Sequence, residues 1–481
     1  MSCHLEDRTF SSNIYEDIQI YADHSLFSSS FSSKAGPFAN ELRHNSASSG
    51  HDSSPGPATN LWKEKERQIN SIGNQTLAPW KNCKMEFLPT ELRRAILAFV
   101  DITSLKNLRL TSRIWATLGE DYLISDTFFS LSYRNDIYRL TNLAKHPKFR
   151  HKIEHLQFQH GEVNEYHARH NTYFLNYMQD PDIRMEMQTS VWSTYANLKA
   201  QKERYLPNAC DKEVMTRVFG LLPNLKSIDV SLMICPFQED GHPEMLKEIW
   251  VIPSTRLMPR VATTERFTSL VTAVASNVST ISIESLSHDR LPFEFFAQRP
   301  TLISLMSEAF QSLTSLNFVI DYSDMPNNLH HNQAFQNLSI CLRSATQLRS
   351  LGLQFLGRKK TDIADLLSSF QVNRHVFSNL ESLALRGITS TETDLGNFLV
   401  KQKSLKTLHL GGLGFKTRHQ PPIDGVHLSE GSFKDLFERI KNGMTLESFK
   451  LQGDIIGQES GERWVLEGVE DEKDLWEFVM D

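Results

Sequence analysis

Between residues 153 and 451 one short pattern keeps returning: an apolar residue, two variable ones, an apolar residue, one variable, an apolar residue. It reads Ile153/Leu156/Phe158, Leu225/Ile228/Val230, Val278/Ile281/Ile283 and Leu313/Leu316/Phe318, then Leu348/Leu351/Leu353, Leu380/Leu383/Leu385, Leu405/Leu408/Leu410 and Leu446/Phe449/Leu451. The gaps between starting positions are 72, 53, 35, 35, 32, 25 and 41 residues, so the later copies lie one repeat length apart. The alternating end of each copy suits a short strand with one buried face. Helix-like segments lie between copies, at Asp362–Phe370, Thr391–Val400 and Gly431–Asn442. A single strand–helix unit has an apolar face that it cannot bury alone. Stacking the units side by side, strands parallel, buries a continuous core.

This pattern resembles the leucine-rich repeat family. The resemblance implies an α/β fold over 131–458: an irregular solenoid with parallel strands on a concave face and helices on the convex face. The Asn or Cys usual just past the strand is mostly replaced, by Met233, Leu286, Leu356, Ile388 and Leu413, so no asparagine ladder is expected. The first two gaps leave room for insertions; 162–222 reads as largely helical and 236–260 as a long loop. Lys226, Asp229, Gln354, Arg386, His409 and Lys450 take outward strand positions and are too mixed to spell a ligand.

Upstream, Met85–Ser130 reads as a separate small helical unit. Leu92, Ile96 and Val100 recur every four residues, with Ala95 and Phe99 on the same side. Pro89 suits the helix start, where a missing N–H costs nothing. Asp101 or Thr103 can cap a second helix carrying Leu105 and Leu108. Ser112–Leu118 makes a third segment around Trp115. A unit this small holds a poor core alone and is expected to complete itself against another surface.

These residues resemble an F-box: Leu88-Pro89, Glu91-Leu92, Ile96, Leu105 with Leu108, then Arg113 with Trp115. One departure is Thr111-Ser112, where many members have Val-Cys or Val-Ser. With repeats behind it, the arrangement resembles fungal-type F-box/leucine-rich-repeat proteins. The resemblance implies a substrate receptor of a cullin-RING, SCF-type ubiquitin ligase. Its partners would be a Skp-type adaptor, the cullin scaffold and an unnamed target protein. Leu88, Pro89, Leu92, Ile96, Leu105 and Leu108 would then carry adaptor docking, with Trp115 packing beneath. The other reading is a repeat scaffold outside any ligase, in which this unit caps the solenoid and buries Leu88 and Pro89.

Net charge is −6, which argues against nucleic acid as a partner. The stretch 81–150 departs from this, with twelve Lys/Arg against seven Asp/Glu: a solvated helical surface, or one that steers an acidic partner. Five dispersed cysteines without a C-x-x-C pair fit reduced thiols in an intracellular protein, cytoplasmic, nuclear or both. No apolar run of membrane-spanning length and no secretory leader are read, so no membrane partner is expected. Sequons at Asn74, Asn277 and Asn337 are then chance matches.

Residues 1–84 read as disordered: serine fills 14 of the first 60 positions, and Gly50–Pro57 has linker composition. This segment reads as a tether or as a phosphorylatable tail. Residues 459–481 carry nine acidic residues against two basic ones, with Trp464, Leu466, Leu475, Trp476 and Phe478. They read as a cap on the repeat array or as an acidic docking peptide.

Catalytic signatures are missing. Gly411-Gly412-x-Gly414 follows a strand without the Lys-Ser/Thr of a phosphate loop, and no nucleophile elbow, zinc-protease helix or kinase set occurs. Nothing in the sequence brings one Cys near one His. His151, His155, His160, His167 and His170 form the one histidine cluster; surface histidines in a polar insertion are more usual there than a metal site. The chain is therefore expected to be no enzyme and to need no cofactor or metal.

Overall fold

The computed structural model describes residues 88–161, 180–234, 260–322, 328–357, 359–412 and 424–466. The chain divides into two compact units, with the boundary between Ile124 and Ser125. The predicted boundary at 130 shifts because Thr127–Leu131 is a strand of the second unit, paired in parallel with His155–Gln159. Its β-prone Thr-Phe-Phe leaves Phe128 fully buried.

The first unit is three short helices, α1 (Thr90–Phe99), α2 (Ile102–Thr111) and α3 (Arg113–Gly119). The second unit is mixed α/β. Its strands are β1 (Thr127–Leu131), β2 (His155–Gln159), β3 (Ser227–Ser231), β4 (Ser285–Pro292), β5 (Ser315–Asp321), β6 (Ser350–Leu356), β7 (Thr361–Asp362), β8 (Ser382–Arg386), β9 (Ile388–Ser390), β10 (Thr407–Gly411), β11 (Val426–Leu428), β12 (Ser448–Gly457) and β13 (Arg463–Leu466). Its helices are α4 (Asp136–Lys145), α5 (Pro181–Ala209), α6 (Lys212–Phe219), α7 (Arg260–Ala275), α8 (Pro300–Glu308), α9 (Asn328–Ser344), α10 (Ala364–Val372), α11 (Glu392–Lys401) and α12 (Phe433–Gly443). The three helix-like segments read from sequence coincide with α10, α11 and α12 to within two residues. Helices α5 and α6 fall in the stretch read as a helical insertion.

Strand order follows chain order, β1-β2-β3-β4-β5-β6-β8-β10-β12, and every pairing on that path is parallel. Helices α6 to α12 pack each on the next. The register explains the repeated motif. Leu156, Ile228, Leu286, Leu316, Leu351, Leu383 and Leu408 form one buried row. Phe158, Val230, His288, Phe318, Leu353, Leu385 and Leu410 form the next. The entry position of each strand is Thr, His or Ser: Thr127, His155, Ser227, Ser285, Ser315, Ser350, Ser382, Thr407 and Ser448. There two successive N–H groups share one carbonyl on the preceding strand, as Glu381 and Ser382 do on Arg349, at 2.8 and 2.9 Å.

One copy of the motif was misplaced. The third unit reads Ile283/Leu286/His288, five residues beyond Val278/Ile281/Ile283, and Val278 is exposed. A histidine in an aliphatic row hid the frame. His288 is buried; its Nδ1 accepts the Arg290 N–H at 3.1 Å, and its ring stands edge-on to Phe267. Leu286 is consequently a core strand residue, not one beyond the strand. In place of an asparagine ladder, Asp289 accepts the N–H groups of Leu232 and Met233 at 2.7 and 2.9 Å and the hydroxyl of Ser231.

Past β6, each strand turns and contributes to a second row, β7-β9-β11, which joins β12 beyond its midpoint. The turn needs glycine. Gly387 and Gly411 have φ of 67° and 77°, and a Cβ on either would meet a neighbouring carbonyl oxygen. The predicted tail begins as β13, antiparallel on β12, with Trp464 edge-on to Phe433. The remainder of the tail, the segment 1–84 and almost all of the loop at 236–260 lie outside the described residues.

Candidate partner-docking surface

The first unit is held by local hydrogen bonds that its sequence supplies. Asp101 caps α2, accepting the Ser104 N–H at 2.9 Å, and bonding from Ser104 holds its carboxyl below the usual range. Ser112 caps α3 through the Trp115 N–H at 3.4 Å, and Pro89 precedes the first residue of α1. Tyr122 donates to the Arg94 carbonyl at 3.1 Å, tying the end of the unit to α1, and Arg109 Nε donates to the Ala116 carbonyl at 3.2 Å. Gly119 is buried against Leu105 and Arg109, where a larger residue has no room.

Inside and outside sort differently from the expectation on α1. Leu97 is the buried residue of that helix, at 1% exposure, together with Ile102, Leu105 and Trp115 on α2 and α3. Part of the stripe read from periodicity points outward: Leu92 is 53% and Phe99 91% exposed, two turns apart on one side, while Val100 is half-buried. Pro89 is exposed, and Leu88, Ile96 and Leu108 are half-buried. Of the seven residues predicted for docking, Leu105 and Trp115 are therefore core positions in this structure. Trp115 was expected beneath the surface; Leu105 was not. Sequence reasoning missed Phe99 as an outward residue and missed Leu110 and Ile114, 86% and 43% exposed, which flank the turn between α2 and α3. Their signal was present: apolar residues at 102, 105, 108 and 110 surround α2 and cannot all face one side.

A small helical unit with an apolar entrance and several large exposed apolar side chains has the composition of a partner-binding surface. Comparison of the sequence with protein-family models agrees. Residues 85–122 match the F-box domain. F-box domains bind Skp-type adaptors in SCF complexes, and F-box proteins are typically ubiquitin-ligase adaptors rather than enzymes. Comparison with curated proteins gives no match for the chain.

The second unit brings together one pair that sequence reasoning did not expect. Cys210 Sγ lies 3.8 Å from His160 Nδ1, and His160 Nε2 lies 3.3 Å from Ser130 Oγ. Burial pushes the thiol up to about 12 and the imidazole down to about 3. Both groups are neutral, the opposite of the thiolate–imidazolium pair that nucleophilic chemistry needs. His167 and His170 lie outside the described residues, and no three metal-ligating side chains converge among the described ones. Asn277 and Asn337 are buried with their amides donating to backbone carbonyls, which leaves neither free to carry a glycan. No helix among the described residues is long and apolar enough to cross a membrane.

Proposed function

We propose that this chain is the substrate-receptor subunit of a cullin-RING, SCF-type ubiquitin ligase. Its F-box docks onto a Skp-type adaptor, which joins it to the cullin scaffold, and the strand–helix units hold a target protein. These units are read as an irregular leucine-rich-repeat solenoid; the in-register apolar rows and sequential parallel strands support that reading. The receptor has no chemistry of its own. It raises the effective concentration of a target lysine near a charged conjugating enzyme. Its place of work is the cytoplasm, the nucleus or both.

The observation that carries the reading is the outward apolar side of the F-box. Leu92 and Phe99 are largely in solvent and Pro89 is exposed. The alternative is a scaffold outside any ligase, whose first unit is only a cap with Leu88 and Pro89 interior. Reconstitution tests the proposal. Mixed with purified Skp-type adaptor and cullin, the chain is expected to co-elute with the cullin only when the adaptor is present. A folded chain that joins neither would reject it.

A further inference from the structure

The outward side of strands β8, β10 and β12 carries Arg386, His409 and Lys450. They lie on consecutive strands, with Lys450 beside His409 in register. Arg386 is half-buried, yet among the described residues no carboxylate lies within ion-pair distance of it; its one side-chain hydrogen-bond partner is His409 Nδ1, at 3.4 Å. His409 Nε2 in turn lies 3.1 Å from Gln452 Oε1. Gln452 can only accept through that oxygen, so the proton sits on Nε2 and the Nδ1 lone pair faces the guanidinium. The stem of Arg386 lies against Gly412, where a side chain would collide with its Cδ. The guanidinium is thus held in place with most of its donors unused.

The nearby carboxylates take their hydrogen bonds from other side chains, and the buried Asp424 feels the positive charge of both Lys360 and Arg386. Asp424 is 5% exposed and accepts from Gln354 Nε2 at 2.7 Å. Asp454 takes Lys360 Nζ at 2.8 Å, His427 Nε2 at 2.8 Å and the Gly425 N–H at 2.9 Å. Lys450 is exposed and adds a second cationic side chain to this face of a chain of net charge −6. Further along the same sheet Asp229 and Asp289 carry the opposite sign, each bonded to a serine hydroxyl. A long polyanion such as nucleic acid would meet repulsion there. A short anionic segment would not.

We propose that the outward face of β8, β10 and β12 docks an acidic peptide segment of a partner protein, with Arg386 clasping a carboxylate and Lys450 adding charge. This names the chemistry of the target in the function proposed above and rests on that reading. A preset guanidinium suits the task because it offers parallel N–H groups to one carboxylate.

Fluorescence anisotropy on the full chain tests it, with a labelled peptide of alternating Glu and Gly and its Gln-for-Glu counterpart as probes. The Glu peptide is expected to bind, more weakly as salt rises, and the Gln peptide is not. Arg386→Gln should weaken binding about tenfold or more, with Arg386→Lys intermediate. Lys434→Gln, exposed on α12, should change nothing. Equal binding of both peptides, no binding of either, or full affinity in Arg386→Gln would overturn the proposal. So would binding seen only after residues 467–481 are removed, because the chain's own acidic segment would then hold the face. Adaptor capture, measured on the same variants, reports the F-box alone and separates failure of that reading from failure of this one.

Discussion

A Cβ placed on Gly387 would lie 2.1 Å from the carbonyl oxygen of Phe355 on the neighbouring strand. With φ at 67°, the position excludes side chains both by conformation and by contact. Gly387 is where β8 leaves the main sheet and β9 begins. Gly387→Ala is therefore expected to destabilise the second unit by about 2 kcal/mol or more. Thermal melting measures it; a variant that melts with the wild type would show that the turn tolerates a side chain.

His288 makes the fold sensitive to mild acid. Burial pushes its imidazole down to about 3 from the ordinary 6.5. The folded state prefers the neutral ring, so the stability tied to this group is complete above about 6.5 and declines as pH falls toward 3. His288→Leu, matching Val230 and Phe318 in the same row, should melt with a weaker pH dependence between pH 6.5 and 5. Identical slopes for the variant and the wild type would contradict a buried neutral histidine.

Lys360 and Asp454 form an ion pair of 2.8 Å in which the lysine side chain is 4% exposed. Removing the carboxylate strands a buried ammonium, a change that costs about 3–5 kcal/mol in such settings. Asp454→Ala should be strongly destabilising, and Lys360→Met in the same chain should recover part of the loss. A double-mutant cycle on melting or urea midpoints reads the coupling; simple additivity would mean the pair contributes nothing.

On the F-box, core and surface residues should separate. Leu97→Ala and Trp115→Ala open cavities at 1% and 2% exposed sites and are expected to cost about 2–5 kcal/mol. Leu92→Ser and Phe99→Ser alter exposed positions and should leave melting within about 0.5 kcal/mol, while adaptor capture falls. A Phe99→Ser protein that unfolds would place that residue inside.

Much of this architecture was legible in the chain. The spacing of Leu351, Leu383 and Leu408 marks buried strand positions because alternation and burial coincide there. Asp101 or Thr103 marked the start of the second helix, and the structure uses Asp101; that Ser112 caps the third through the Trp115 N–H emerged only from the structure. Where reading failed, physical reasons stand out. His288 replaces an aliphatic residue, so a hydrophobicity scan slid five residues to Ile283. On α1, periodicity found the stripe of Leu92 and Phe99 but could not say which way it faces. An apolar stripe reads alike whether it meets its own core or a partner. The approach of Cys210 to His160, fifty residues apart in the chain, comes from tertiary packing and leaves no local mark.

The most direct measurement is the affinity of the purified chain for a Skp-type adaptor, by calorimetry, beside Leu88→Ala/Pro89→Ala. Burial of one leucine is worth about 1.5–3 kcal/mol. The wild type is expected to bind, and the double variant to lose about tenfold or more in affinity while melting normally. Full affinity in the double variant, or a well-folded wild type that does not bind the adaptor, would contradict the account.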